Sequence, residues 1–204
     1  MSNFKVEVVR ESAMIISGKN VFYCHESNCL YWCDVLGSQI CKLNLNTNRL
    51  SMCRILNERT ICFIIPIREM KDQFIVGAGS KLMMVNWDGN TTMAQPIRVL
   101  CEIPVDGVRI NQCKVDRQGR LYFGTMINEE QGNFLNYQKR IGSFYRFTMS
   151  QGLVELKDKV GLSYGIAWNN NWTKMYFVDS FDLTIYEFDY DLMTGNISKE
   201  LKLN

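Results

Sequence analysis

Eight cysteines, Cys24, Cys29, Cys33, Cys41, Cys53, Cys62, Cys101 and Cys113, carry the most versatile chemistry in this chain. Thiolates can hold zinc or close disulfides. Zinc-finger spacing fails here, because there is no Cys-x-x-Cys and His25 is the only histidine. The opening residues, MSNFKVEVVRES, are charged throughout and lack the apolar centre of an export signal. The expectation is therefore an intracellular, cytoplasmic protein whose thiols stay reduced, most of them packed in strands as small hydrophobes. Four carboxylates, Asp34, Asp116, Asp179 and Asp189, fall at strand ends and turns. Aspartate there commonly accepts backbone amides, so their expected role is structural.

The bulk composition removes several function classes. Of 204 residues, 47% are apolar and 22% charged, an ordinary globular balance that excludes a disordered or fibrous chain. The 23 basic and 21 acidic residues leave a net charge of +2, which gives no field for nucleic acid or for an acidic membrane surface. The longest apolar run, Ile61 to Ile65, stops at Pro66, far short of a membrane span. Residues 1–204 read as one domain, large enough to bury roughly 70% of its unfolded surface without staples.

The elements that must position any site are strands. Four short runs resemble one another: 30–35 (LYWCDV), 74–79 (FIVGAG), 121–126 (LYFGTM) and 175–180 (MYFVDS), with starts 44, 47 and 54 residues apart. Each is aromatic and β-branched and ends in small or acidic residues. A further strand follows each, at 39–44, 81–86, 143–147 and 184–189, closed by polar turns at 46–48, 88–90, 150–152 and 193–196. No stretch carries a helical stripe. A β-sandwich would use strands of similar length, but four copies at a period of about 40–50 residues favour β-propeller blades. Between Met126 and Phe144 lies a long insertion that includes Glu129. Read as following the first strand of its blade, it should emerge at one mouth of the central channel, as functional loops often do.

Three stretches carry a resemblance to a known family. Asn111-Gln112-Cys113-Lys114-Val115-Asp116-Arg117-Gln118-Gly119-Arg120, continuing to Gly124-Thr125-Met126, is similar to the N-D-G-K-x-D-x-x-G-R-x-x-x-G-T-M pattern of regucalcin (senescence marker protein). Asp179-Ser180, followed by Phe188-Asp189-Tyr190-Asp191 and Thr194-Gly195-Asn196-Ile197, resembles the D-S … F-D-Y-D … T-G-x-I of the same family. Ser17-Gly18 through Leu30 and Asp34 resembles its G-E-x-P … L-x-x-x-D. Luciferin-regenerating enzymes and gluconolactonases belong to the same superfamily. The resemblance implies an all-β, six-bladed propeller with calcium or zinc in the channel, hydrolysing sugar lactones. Roughly four blades fit into this chain, so the last third of the ring would lie beyond Asn204.

Carried over residue by residue, the family's pattern divides. The substrate-side arginine, asparagine and glutamate fall on Arg109, Asn111 and Glu129, all retained, and these offer donors and acceptors to a sugar lactone or polyol. The metal side is substituted. The glutamate of G-E-x-P is Lys19, the asparagine of an S-N-G turn is Tyr164, and a third ligand, an aspartate that is also a candidate base, would fall beyond Asn204. Calcium wants about six oxygen ligands with carboxylate charge among them, whereas an ammonium repels a dication and a neutral phenol coordinates poorly. The family's D-G also reads Gln112-Cys113 here, removing a carboxylate beside Asn111. The metal-dependent activity is thus expected to be weak or lost. The competing readings are a non-catalytic binder of a polyol or protein, a lactonase with a rebuilt site, and a fragment without function. A protonated Lys19 acting as electrophile in the metal's place is a further alternative. Open blade faces are expected to drive self-association.

Overall fold

The computed structural model describes residues 15–128 and 140–203. The insertion from 129 to 139, with Glu129 in it, lies outside the described residues. The described chain is all-β, with sixteen strands and no helix, hence none long and apolar enough to cross a membrane.

The strands fall into four consecutive antiparallel groups of four, each a propeller blade. Blade one is β1 (Gly18–Cys24), β2 (Cys29–Asp34), β3 (Gln39–Asn44) and β4 (Arg49–Ile55). Blade two is β5 (Ile61–Pro66), β6 (Gln73–Ala78), β7 (Lys81–Asn86) and β8 (Met93–Glu102). Blade three is β9 (Val108–Val115), β10 (Leu121–Ile127), β11 (Gly142–Thr148) and β12 (Gly152–Val160). Blade four is β13 (Ser163–Trp168), β14 (Lys174–Asp179), β15 (Thr184–Tyr190) and β16 (Ile197–Leu203). Blades one and two also meet at their outer edges, where Arg54 and Ile55 pair in parallel with Met93 and Ala94.

The strand periodicity explains the stacking. In β14, Met175 and Phe177 are buried while Lys174, Tyr176 and Val178 are only half-buried, the alternation of a sheet with one face on a core. Three apolar layers result, one for each pair of successive blades. Tyr31, Ile40, Ile64, Phe74 and Trp87 fill the first. Phe63, Leu82, Ile110 and Phe123 fill the second. In the third, Phe144 stacks on Phe177 with ring centroids 4.4 Å apart. Burying one such ring stabilises by about 1.5–3 kcal/mol.

The recurring aromatic runs at 30–35, 74–79, 121–126 and 175–180 form the second strand of each blade, not the first. The innermost strands β1, β5, β9 and β13 carry irregular register, which hides their periodicity. The insertion therefore follows the second strand of blade three, β10, whose last residue Ile127 pairs with Val108 at the start of β9.

A repeated device sets the innermost strands of blades one and four. Asp34, ending β2, accepts the amides of Ile16 at 3.0 Å and Ser17 at 2.8 Å, just ahead of β1, and that of Gly37 at 3.2 Å. Asp179, ending β14, accepts those of Gly161, Leu162 and Phe181 at 2.8, 2.9 and 3.1 Å. Burial works to raise the Asp34 carboxyl, but its three amide donors prevail and hold it below the ordinary aspartate range. Each carboxylate thus fixes where the chain enters the channel.

Candidate functional site in the channel

Each innermost strand is irregular near its start. Register shifts fall at Lys19/Phe22 in β1, Ile61/Phe63 in β5 and Ser163/Ile166 in β13. In β9 the shift lies between Ile110 and Cys113, facing Phe123/Thr125. A bulge kinks its strand and re-aims side chains, so four bulges at one level turn Asn20, Cys62, Asn111 and Tyr164 toward a common region. Asn20 takes the left-handed φ of 54° that its bulge requires, a conformation asparagine tolerates better than most residues.

At this level the polar groups interlock across blades. Asn111 Nδ2 donates to the Ser163 carbonyl in blade four at 2.7 Å. Asn111 Oδ1 accepts from Arg109 at 2.9 Å and from Lys19 Nζ in blade one at 3.3 Å. Asn20 Nδ2 donates to the carbonyls of Cys62, at 2.5 Å, and Asn111, at 3.0 Å. The Lys19 ammonium also lies 5.4 Å from the Tyr164 ring centroid, within cation–π range. Asn20 Oδ1 is buried without a hydrogen-bond partner.

Beside this network is a cavity of about 460 Å³ whose lining includes Lys19, Asn20, Gln112, Lys114 and Tyr164. That volume suits a small molecule. Arg109 and Asn111, each 1% exposed, do not line it. Of the positions singled out from sequence, the structure thus brings Lys19, Tyr164, Arg109 and Asn111 to one level of the channel, and Glu129 lies outside the described residues. Sequence reasoning missed Asn20, Cys62 and the Ser163 carbonyl. Only Asn20 left a trace, as an asparagine where the strand pattern breaks.

The described donor set does not fit the metal that the resemblance implies. Calcium needs several oxygens with carboxylate charge, and zinc needs about four nitrogen, sulfur or oxygen donors. Here an ammonium and a phenol stand at two of the positions, and the Asn111 carbonyl oxygen already accepts two cationic donors. Among the described residues no three His, Cys, Asp or Glu side chains group to hold an ion.

Four-stranded blades stacked in sequence order, with their innermost strands around one cavity, define a β-propeller. The chain belongs to the SMP-30/Gluconolactonase/LRE-like family, whose model matches residues 18–203. It is 27% identical to regucalcin of Sus scrofa over 201 residues, covering 97% of this chain and 63% of the pig protein. A solved luciferin-regenerating enzyme superposes with a TM-score of 0.81 at 25% identity, over 92% of this chain and 60% of that one. A calcium-binding regucalcin of Agrobacterium tumefaciens superposes with a TM-score of 0.78 at 19% identity, over 96% of this chain and 61% of its own. The chain thus spans less than two thirds of the length of these relatives.

Proposed function

We propose that the channel takes a sugar lactone or polyol, and that the metal-dependent lactone hydrolysis of the family is weak or lost in this chain. One observation carries the reading. Lys19 places an ammonium against Tyr164 and Asn111, where the resemblance calls for ligands to a dication. In a metal-dependent lactonase the ion polarises the carbonyl and activates water. The described residues instead offer fixed hydrogen-bond donors, Lys19 among them, that suit the carbonyl and hydroxyl oxygens of such a ligand. Arg109 and Asn111, bonded to each other behind the cavity, would support its wall, and the resemblance assigns Glu129 to the substrate side. The family membership supports the ligand class, and the pocket volume supports its size.

The test is a thermal melt with and without millimolar calcium or zinc, followed by lactone hydrolysis. A metal that binds only the folded state stabilises by about 2.7 kcal/mol at a hundredfold excess over its Kd. The expected result is a cooperative melt unmoved by either ion, raised by a sugar lactone or its polyol analogue, with turnover near background. A melt raised by metal together with metal-dependent turnover would overturn the weak-or-lost reading. Absence of any cooperative transition would favour a fragment without function of its own.

A further inference from the structure

Cys24 ends β1 and Cys29 begins β2, and the two face each other directly in the antiparallel register. Opposed residues hold their Cα atoms about 4.5 or 5.5 Å apart, according to whether the pair exchanges backbone hydrogen bonds. Both values lie inside the roughly 4.4–6.8 Å that a disulfide spans. Opposed side chains also leave the sheet on the same face, and both of these are buried. Their Cβ atoms, about 4.5–5.5 Å apart in such a pair, need to close by about 1 Å to reach disulfide distance. Only the turn from His25 to Asn28 has to yield, and three of its four residues are exposed.

Both cysteines border the first apolar layer, but the hydrogen bonds of their thiols stay local. Cys29 Sγ donates to the Ser27 carbonyl at 3.3 Å and Cys24 Sγ to Glu26 Oε2 at 3.8 Å, both within the turn. Cys24 also lines a second cavity, of about 640 Å³, beside Tyr23, His25, Arg68 and Arg117, which gives a small oxidant a path to sulfur. Other cysteines sit differently. Cys33 is fully buried amid Cys62, Cys41, Cys113 and Cys53, and burial pushes the Cys41 and Cys53 thiols up to about 12. Thiols so rarely ionised are poor nucleophiles.

We propose that Cys24 and Cys29 form a modification site, a dithiol that a peroxide oxidises to an intramolecular disulfide. Cys24 sulfur, as thiolate, attacks one peroxide oxygen. The O–O bond breaks, and the departing hydroxide takes a proton to leave as water, with Cys24 as the sulfenic acid. Cys29 sulfur then attacks Cys24 sulfur. The S–S bond forms, the S–O bond breaks, and a second water leaves with the Cys29 proton. Two thiols give up two protons and two electrons, which reduce one peroxide to two waters. The product staples β1, the strand carrying Lys19 and Asn20, to β2.

Glu26 lies between the two cysteines, so a protease that cuts after glutamate separates them unless the disulfide holds. The full chain is treated with hydrogen peroxide, its remaining thiols are alkylated, and it is digested in that way and weighed by mass spectrometry. The expected product joins the Cys24 and Cys29 peptides, two hydrogens lighter than their sum, and falls apart on reduction. Cys29→Ser should abolish the joined product and leave Cys24 as a sulfenic acid that dimedone traps. Alkylation of both cysteines after peroxide treatment, or a link drawn from Cys33 to Cys62 instead, would overturn the assignment. The readout uses the unaltered protein, so it does not depend on a variant folding.

Discussion

Lys19 and Asn111 sit in different blades, 92 residues apart in sequence, yet their side chains meet at 3.3 Å. The same asparagine oxygen takes the Arg109 guanidinium at 2.9 Å. Two cationic donors converging on one carbonyl make a poor neighbourhood for a dication. Installing the residue types that the resemblance calls for tests whether Lys19 and Tyr164 alone exclude the ion. In the double variant Lys19→Glu with Tyr164→Asn, the channel gains one carboxylate and one amide oxygen, still short of the ligand number calcium needs. Isothermal titration should detect no micromolar calcium binding. Micromolar affinity in that variant would mean that no further carboxylate is required, overturning the reading that the described donors fall short of a calcium site.

At the scale of the strand, the contact between blades three and four hangs on a missing side chain. Gly124 in β10 faces the bulge in β9, and a Cβ added there would lie 2.2 Å from the Ser163 Cβ and 2.5 Å from its Oγ. Ser163 also supplies the carbonyl that holds Asn111. Gly124→Ala should therefore force β10 and β13 apart and lower stability by about 1–3 kcal/mol, the usual cost of overpacking. Urea denaturation measures this, and an unchanged midpoint would show that the interface yields freely. The same strands show what sequence can and cannot display. The second and third strands of every blade were legible from their aromatic and β-branched runs, which alternate in blade four, as in Met175 and Phe177, and are buried on both faces in blade three. The innermost strands were not, because their bulges break the period of two. Asn111 and Arg109 could be located by resemblance, but their mutual bond and its link to Lys19 depend on how blades come together. No local spacing records that.

For the whole molecule, the row of blades ends in two sheets of unequal character. On blade four, Val178, Ile185 and Leu203 lie directly opposite one another across β14, β15 and β16, on the face turned away from the Phe144–Phe177 layer. Ile185 is 43% exposed and Leu203 40% exposed, with Leu201 beside them at 54%. At the other end, β1 presents Val21 and Tyr23, which are 69% and 41% exposed. Apolar faces of this kind favour association, and a net charge of only +2 over 204 residues offers little repulsion against it. We propose a second copy of the chain as the occupant, because the two faces flank one row of blades and each is apolar where a neighbouring blade would stack. The isolated chain should show concentration-dependent association in sedimentation velocity, well above the 23.7 kDa of one copy. Ile185→Lys with Leu203→Lys puts two ammonium groups into the middle of the blade-four row while leaving the inward layer untouched. That variant should sediment as a monomer at concentrations where the parent associates, with an unchanged strand signature in circular dichroism. A parent chain that stays a monodisperse monomer across that range would mean its own blades cover these faces in solution, and the association would have to be abandoned.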